Sequence, residues 1–357
     1  MATLHTVTEL SKNVIKYGGL FLAAVSLFFI GINIGKTAKT VFFPRPVAPP
    51  TTTFGKLPAI QFPNNVTDKK FTYIIDTLTG RLPAFQSRIQ IYKLITHENP
   101  SLLEYRDARQ SASAVGFTRP DRELKKYTLQ WDSAGDLERS LIINLETKDF
   151  TMTSPFLTQE NVRNGIYVVN EANSIKAAQE FLSKMAYFPP DVDVAKTKTY
   201  RLSVIDGKLI PAGKKEAAPV IEVDFFQRDL NKLPIFYYSP FYSQIKLFVG
   251  FTKPLSREAL DNKPEVVETH FSHQKISDIK ADYPLKSTYE AYNELVNGKG
   301  YVAAYFGDKT EIKIKDVVLG YYLNGNDQNY LMPVYVFKGL DDSFYGYVSA
   351  LKNEWIK

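Results

Sequence analysis

The residue types able to do chemistry are few in this chain and poorly assembled. His270-Phe271-Ser272-His273 is the one close histidine pair among four histidines. At this spacing two imidazoles share one side of a helix, where they could hold a metal. No carboxylate stands convincingly as a third ligand, although Glu265 and Glu268 are near, so the segment reads as solvated and no metal site is expected. Ser272 with Lys275, and Ser277 with Lys280, match Ser-x-x-Lys, the nucleophile pattern of penicillin-recognising enzymes. The companion Ser-Asp-Asn and Lys-Thr-Gly are absent, so both matches read as chance. Asn297-Gly-Lys-Gly300 lacks the length and terminal hydroxyl of a phosphate-cradling loop, and it follows a helix instead of preceding one. Asn324-Gly-Asn-Asp327 lacks the spaced carboxylates and final glutamate of a calcium loop and reads as a turn. Asp191-Val-Asp193, after a double proline, reads as a loop more than as an acid pair.

Composition narrows the classes further. The 357 residues contain no cysteine, which excludes disulfides, thiolate zinc sites, Fe–S clusters and cysteine nucleophiles. The net charge of +6 is spread along the chain, so no nucleic-acid footprint is expected. Hydrophobic residues make up 44% of the chain, enough for packed cores and too many for global disorder. No cofactor and no catalytic activity are expected.

The stronger lead is aromatic. Ile235-Phe-Tyr-Tyr-Ser-Pro-Phe-Tyr242 packs Phe236, Tyr237, Tyr238, Phe241 and Tyr242 into eight residues, and its prolines oppose a regular central strand. Tyr321, Tyr322, Tyr330 and Tyr335 crowd a later segment. Rigid amphipathic rings suit protein interfaces and sugar stacking, and they suit core packing equally well. The five residues of 236–242 are the candidate binding site.

The elements that must position these rings follow from patterning. Tyr17 to Gly35 carries no charge and is flanked by Lys16 and Lys36. As a helix it is roughly 28 Å long, about one hydrocarbon core. A buried soluble helix and a cleavable signal peptide are the alternatives. The run is apolar on all sides, and no good small-x-small cleavage site follows before Lys36. The reading is therefore an uncleaved transmembrane helix over 17–35, after a short cytoplasmic tail over 1–16. Lys12 and Lys16 precede the span while Lys36, Lys39 and Arg45 follow it, so orientation rests on the length of chain beyond the span. A Pro/Thr-rich stalk is expected over 36–70.

Beyond the stalk a unit of strand, helix and antiparallel strands recurs, over 71–160, 161–255 and 256–357. In the first, Ser101 and Glu104 form a capping-box pattern before a helix that Gly116 ends. In the second, Asn173 or Ser174 caps a helix carrying Ile175, Ala178, Phe181, Leu182 and Met185. In the third, Ser287 and Glu290 repeat the capping box and Gly298 ends the helix. One strand is expected from Ile312 to Leu323, and Pro333 marks the next as an edge or a bulge. A helix with one apolar stripe needs a sheet with one apolar face. The expected fold class is α+β: a single N-terminal transmembrane helix followed by tandem helix-on-antiparallel-sheet modules.

The Ala291-Tyr292 helix ending in Asn297-Gly298, the Gly320-Tyr321-Tyr322 strand, Leu331 to Phe337 and the closing Tyr347 to Ala350 are together familiar. Over 274–351 the chain resembles the C-terminal domain of the YycH/YycI-type regulatory proteins, and it is similar to the wider PepSY-like modules. The resemblance implies a single-pass, extracytoplasmic, non-catalytic protein whose relatives modulate a membrane sensor kinase. It carries over no functional residue. The expected function is a membrane-anchored interaction or regulatory protein of the cell envelope, with the bulk of the chain outside the cytoplasm. Its expected partners are the membrane, through 17–35, and another envelope or membrane protein. The alternative is a polysaccharide- or peptidoglycan-binding module that uses the aromatic surface.

Overall fold

Two of the helices start where serine and glutamate stand three residues apart. In a computed structural model of the chain, the Leu103 amide donates to Ser101 Oγ at 3.2 Å, and the Ser101 amide donates to Glu104 at 3.0 Å. They open α1 (Leu102–Ala114). The helix α2 (Glu171–Lys184) is capped by Asn170, whose Oδ1 accepts from the Asn173 amide at 3.1 Å; the cap falls three or four residues before the predicted Asn173 or Ser174. Ser287 and Glu290 form the reciprocal pair that opens α3 (Thr288–Val296), and Gly298 closes it at φ +71°. The structure describes residues 18, 25–28, 49–95, 99–133, 138–158, 170–213, 218–250, 264–325 and 328–357.

In chain order the strands are β1 (Thr72–Ile75), β2 (Arg88–Leu94), β3 (Arg122–Lys125), β4 (Thr128–Asp132), β5 (Ser140–Asn144) and β6 (Phe150–Thr153). There follow β7 (Lys198–Ile205), β8 (Lys208–Pro211), β9 (Val220–Phe225), β10 (Ile235–Phe236), β11 (Ile245–Gly250) and β12 (Glu265–Phe271). The last are β13 (Ile276–Pro284), β14 (Tyr301–Tyr305), β15 (Glu311–Ile314), β16 (Asp316–Tyr322), β17 (Tyr330–Lys338) and β18 (Phe344–Ser349).

The chain divides into two units, Met1–Pro49 and Pro50–Lys357. In the first, Gly18 and Val25–Phe28 are helical, and the rest of the predicted 17–35 span lies outside the described residues, as do the whole predicted tail and residues 36–48 of the predicted stalk. No helix among the described residues is long and apolar enough to cross a membrane. The transmembrane, single-pass assignment is corrected accordingly.

The second unit is built on sheets. Nine antiparallel strands run in the order β3-β4-β5-β6-β12-β11-β9-β7-β8. Helices α1 and α2 share one face of it, where Ala108, Ala112, Ala178 and Leu182 meet Leu141, Ile143, Ile221 and Val223. A smaller cluster of Phe156, Leu202, Val220, Phe248 and Val267 occupies the opposite face. A second sheet runs β10-β16-β17-β18-β14 and is joined by β13 and β2, with β2 pairing both β13 and β17. Helix α3 packs on it through Ala291 and Leu295, in one cluster with Phe337, Phe344 and Val348. A parallel pair, β1 with β15, stands apart from both sheets.

This corrects the expected fold class. The fold is mostly β-sheet, and the tandem helix-on-sheet modules of PepSY or YycI type do not appear as separate layers. Strand β12, from the third predicted segment, pairs β6 of the first and β11 of the second. Strand β2, from the first, pairs β13 and β17. Alternation along one strand reveals which side is buried but not which neighbour satisfies its amides. A short meander closed on itself leaves open edges, and here those edges are used to fuse the sheets. The strand expected from Ile166 lies outside the described residues.

Two local expectations also change. Ile312 to Leu323 is two strands with Lys315 between them, because β15 pairs β1 while β16 pairs β17. Strand β17 is central, not an edge. Pro333 is tolerated there because the strand changes neighbours at that point, from β2 at Tyr330 and Leu331 to β18 at Val334–Lys338. Residues 50–70 of the predicted stalk lie along the sheets. Leu57 is fully buried and exchanges backbone hydrogen bonds with Trp355 and Lys357 at 2.8 and 2.9 Å. Phe62 stacks on Tyr301 at 5.3 Å. Proline favours an extended chain, and the apolar residues between the prolines dock that chain on the sheet.

Candidate functional site

The aromatic segment 235–242 connects the two sheets, and its residues divide by environment. Residues Ile235 and Phe236 form β10, which pairs in parallel with Tyr321 and Tyr322. That pairing needs Gly320. A Cβ there would lie 2.5 Å from Phe236 Cε2 and 2.6 Å from the Pro234 carbonyl oxygen, so only glycine admits the crossing chain. Phe236 packs against Tyr347 at 5.9 Å. Tyr237 is buried, and its hydroxyl donates to Gln227 Oε1 at 3.3 Å. Tyr237 is therefore core, and Phe236 is half-buried against the core.

Tyr238 and Phe241 face outward, 40% and 39% exposed. Tyr238 sits 4.3 Å from Tyr242, ring to ring. Phe241 meets Phe306 edge-on at 5.5 Å and Tyr345 at 5.8 Å. Phe306, at 64% exposure, stands between Tyr305 and Gly307, and nothing in that local pattern links it to the distant 236–242 cluster. Lys338 lies over the Tyr345 ring at 5.7 Å, placing a cation on the border of the patch. The Tyr301 hydroxyl donates to the Tyr238 carbonyl at 2.8 Å and ties the segment to the second sheet. Of the other predicted tyrosines, Tyr321, Tyr322 and Tyr335 are buried and Tyr330 is half-buried.

Beside the segment lies a row of charges on the face of the nine-stranded sheet away from the helices. Register sets Lys198 of β7, Asp224 of β9, Lys246 of β11 and His270 of β12 side by side. Lys246 Nζ bonds Glu222 Oε1 at 2.5 Å. Asp224 is fully buried, and neither of its oxygens has a hydrogen-bond partner among the described residues. Burial pushes its carboxyl up to about 7; Lys246 and Lys198 pull against that shift, and Glu222 adds to it. Burial opposes the charge on Lys246, but the Glu222 bond and the Asp224 charge outweigh it and raise the ammonium. Burial likewise raises the phenol of Tyr242, with Tyr238 adding to it. The sequence carried a signal for this row: Glu222 and Asp224 alternate with Ile221 and Val223 in one strand, which puts two acids on one sheet face.

The histidine pair is split. His270 Nε2 lies 2.6 Å from Glu268 on the exposed side of β12. The His273 side chain is nearly buried and meets Asp191 Oδ1 at 2.8 Å, while Gln227 Nε2 donates to Asp191 Oδ2 at 2.9 Å. Burial alone would raise the Asp191 carboxyl; the His273 and Gln227 hydrogen bonds outweigh it and hold the carboxyl below its ordinary value. Asp191 is thus part of a network that reaches Tyr237 through Gln227, a role its loop pattern did not reveal. Among the described residues no group of three or more acids and histidines is placed to hold a metal. Ser277 Oγ donates to the Lys93 carbonyl at 2.7 Å.

No protein-family model and no curated relative matches the chain. A crystal structure of an uncharacterized protein from Eubacterium rectale is similar to it at 12% identity and a TM-score of 0.37, over 81% of this chain and 92% of that one. A likeness of that size carries no inference about fold or function.

Proposed function

We propose that the protein is a non-catalytic interaction protein, regulatory or scaffolding, that docks another protein through the patch of Tyr238, Phe241 and Phe306. The observation that carries this reading is the outward exposure of Tyr238 and Phe241 on a segment that Tyr237 anchors in the core, with the exposed Phe306 ring set against Phe241. Exposed aromatic side chains held on a rigid base lose little entropy on binding and supply large contact areas. The ring geometry favours protein over sugar. Sugar stacking needs ring faces presented side by side, whereas Phe241 stands at 63° to Phe306 and at 82° to Tyr345. The likeness of residues 274–351 to the YycH/YycI-type regulators makes a protein of the cell envelope the expected partner.

The test is the double variant Phe241→Ala/Phe306→Ala in cells. A partner recovered by cross-linking with the wild type is expected to be lost, while the thermal midpoint of the purified variant stays near that of the wild type. Undiminished recovery with the double variant would sink the reading.

A further inference from the structure

We propose that Asp224 is a proton switch that sets how firmly residues 237–243 are held, and that it thereby couples docking at the aromatic patch to pH. The switch rests on the Asp224 cluster; its consequence for docking rests on the function proposed above.

The geometry is that of a charge without a fixed partner. Asp224 is fully buried, and neither oxygen is hydrogen-bonded among the described residues. From β7 it is faced by Lys198 and Tyr200, from its own strand by Glu222, and from β11 by Lys246. From the aromatic segment, Tyr242 lies within electrostatic reach of both Asp224 and Lys246, and Tyr238 within reach of Lys246. One strand further on is His270, bonded to Glu268. Lys246, the register partner of Asp224 on β11, has its ammonium bonded to Glu222. Lys198 lies over the Phe226 ring at 5.3 Å.

A neutral carboxyl is tolerated in such a place at modest cost; a carboxylate is not. On ionisation Asp224 must either draw Lys246 away from Glu222 or admit water. Both responses disturb the row beside Tyr242. The segment is also tied to this sheet by Ser243, whose hydroxyl donates to the Phe225 carbonyl next to Asp224. The carboxyl changes charge near neutrality, so the disturbance falls within a physiological range. Protonation therefore seats the segment, and deprotonation loosens it.

Hydrogen exchange of the amides of residues 237–243 in the full chain tests this. It is read one unit below and one unit above the Asp224 midpoint and corrected for the intrinsic pH dependence of exchange. The wild type is expected to exchange several-fold faster on the alkaline side, and Asp224→Asn equally on both sides. Lys246→Met removes the cation that favours the carboxylate, so it moves the transition to higher pH; this variant serves if Asp224→Asn fails to fold. A wild type with no change across the midpoint, or an Asp224→Asn protein that keeps the change, would overturn the switch. Exchange is measured on the chain alone, so failure of the docking reading leaves this result standing. Partner cross-linking that does not fall on the alkaline side would overturn the coupling.

Discussion

Asp224 and Lys246 are register partners on adjacent strands, yet the lysine gives its ammonium to Glu222. The aspartate is left buried between two lysine-bearing strands without a hydrogen bond among the described residues. In water such a carboxyl would be ionised well below neutrality; in this place it holds its proton to about pH 7.

Stability should therefore depend on this one proton. The folded chain holds it more tightly than the unfolded chain, so stability is greatest below the unfolded value and declines as pH rises toward about 7, then levels off. A rise of about three units corresponds to at most about 4 kcal/mol. Urea denaturation across this range should show the decline in the wild type relative to Asp224→Asn. Parallel pH profiles for the two proteins would contradict it.

The two halves of the aromatic segment should separate in a stability assay. Tyr237→Ala removes a buried ring and its bond to Gln227, and should cost about 3–5 kcal/mol. Phe241→Ala trims an exposed ring and should cost less than about 1 kcal/mol. Thermal or urea midpoints of the two variants decide it, and equal losses would erase the division.

Gly320→Ala should destabilise by about 1–3 kcal/mol, because the new methyl meets the Pro234 carbonyl and the Phe236 ring. Strand β10 would be pushed from β16. Calorimetry should show the lowered midpoint, and an unchanged one would mean that this crossing yields freely.

Lys286 is buried, with its ammonium on both oxygens of Glu294 at 2.7 and 2.8 Å and on Asn353 at 3.0 Å. Glu294→Ala strands that charge and should cost about 3 kcal/mol. Adding Lys286→Met should recover part of the loss, giving a non-additive double-mutant cycle. Additive losses would show that the pair is not coupled.

Much of the local structure was legible in the sequence. The capping boxes at Ser101 and Ser287 form as their spacing requires, and Gly116 and Gly298 stand at the helix ends with positive φ. These features are fixed by residues within one turn of each other. Sheet assembly was not legible, since nothing in the alternation of β12 says that its neighbours are β6 and β11. The candidate patch was half legible. The cluster at 236–242 was visible, but its division into core and surface depends on Gly320, and its completion depends on Phe306; both are distant in the chain. Asp224 escaped notice because a strand acid reads as solvent-facing until the burial of its neighbours is known.

The outward half of segment 235–242 is the proposed docking site for another protein. A photoreactive phenylalanine analogue at position 241, irradiated in living cells, tests it most directly, with the same analogue at the exposed Leu102 of α1 as control. A discrete protein adduct is expected from position 241, absent from position 102 and lost with Phe306→Ala. No adduct at 241, or the same adducts at both positions, would contradict it.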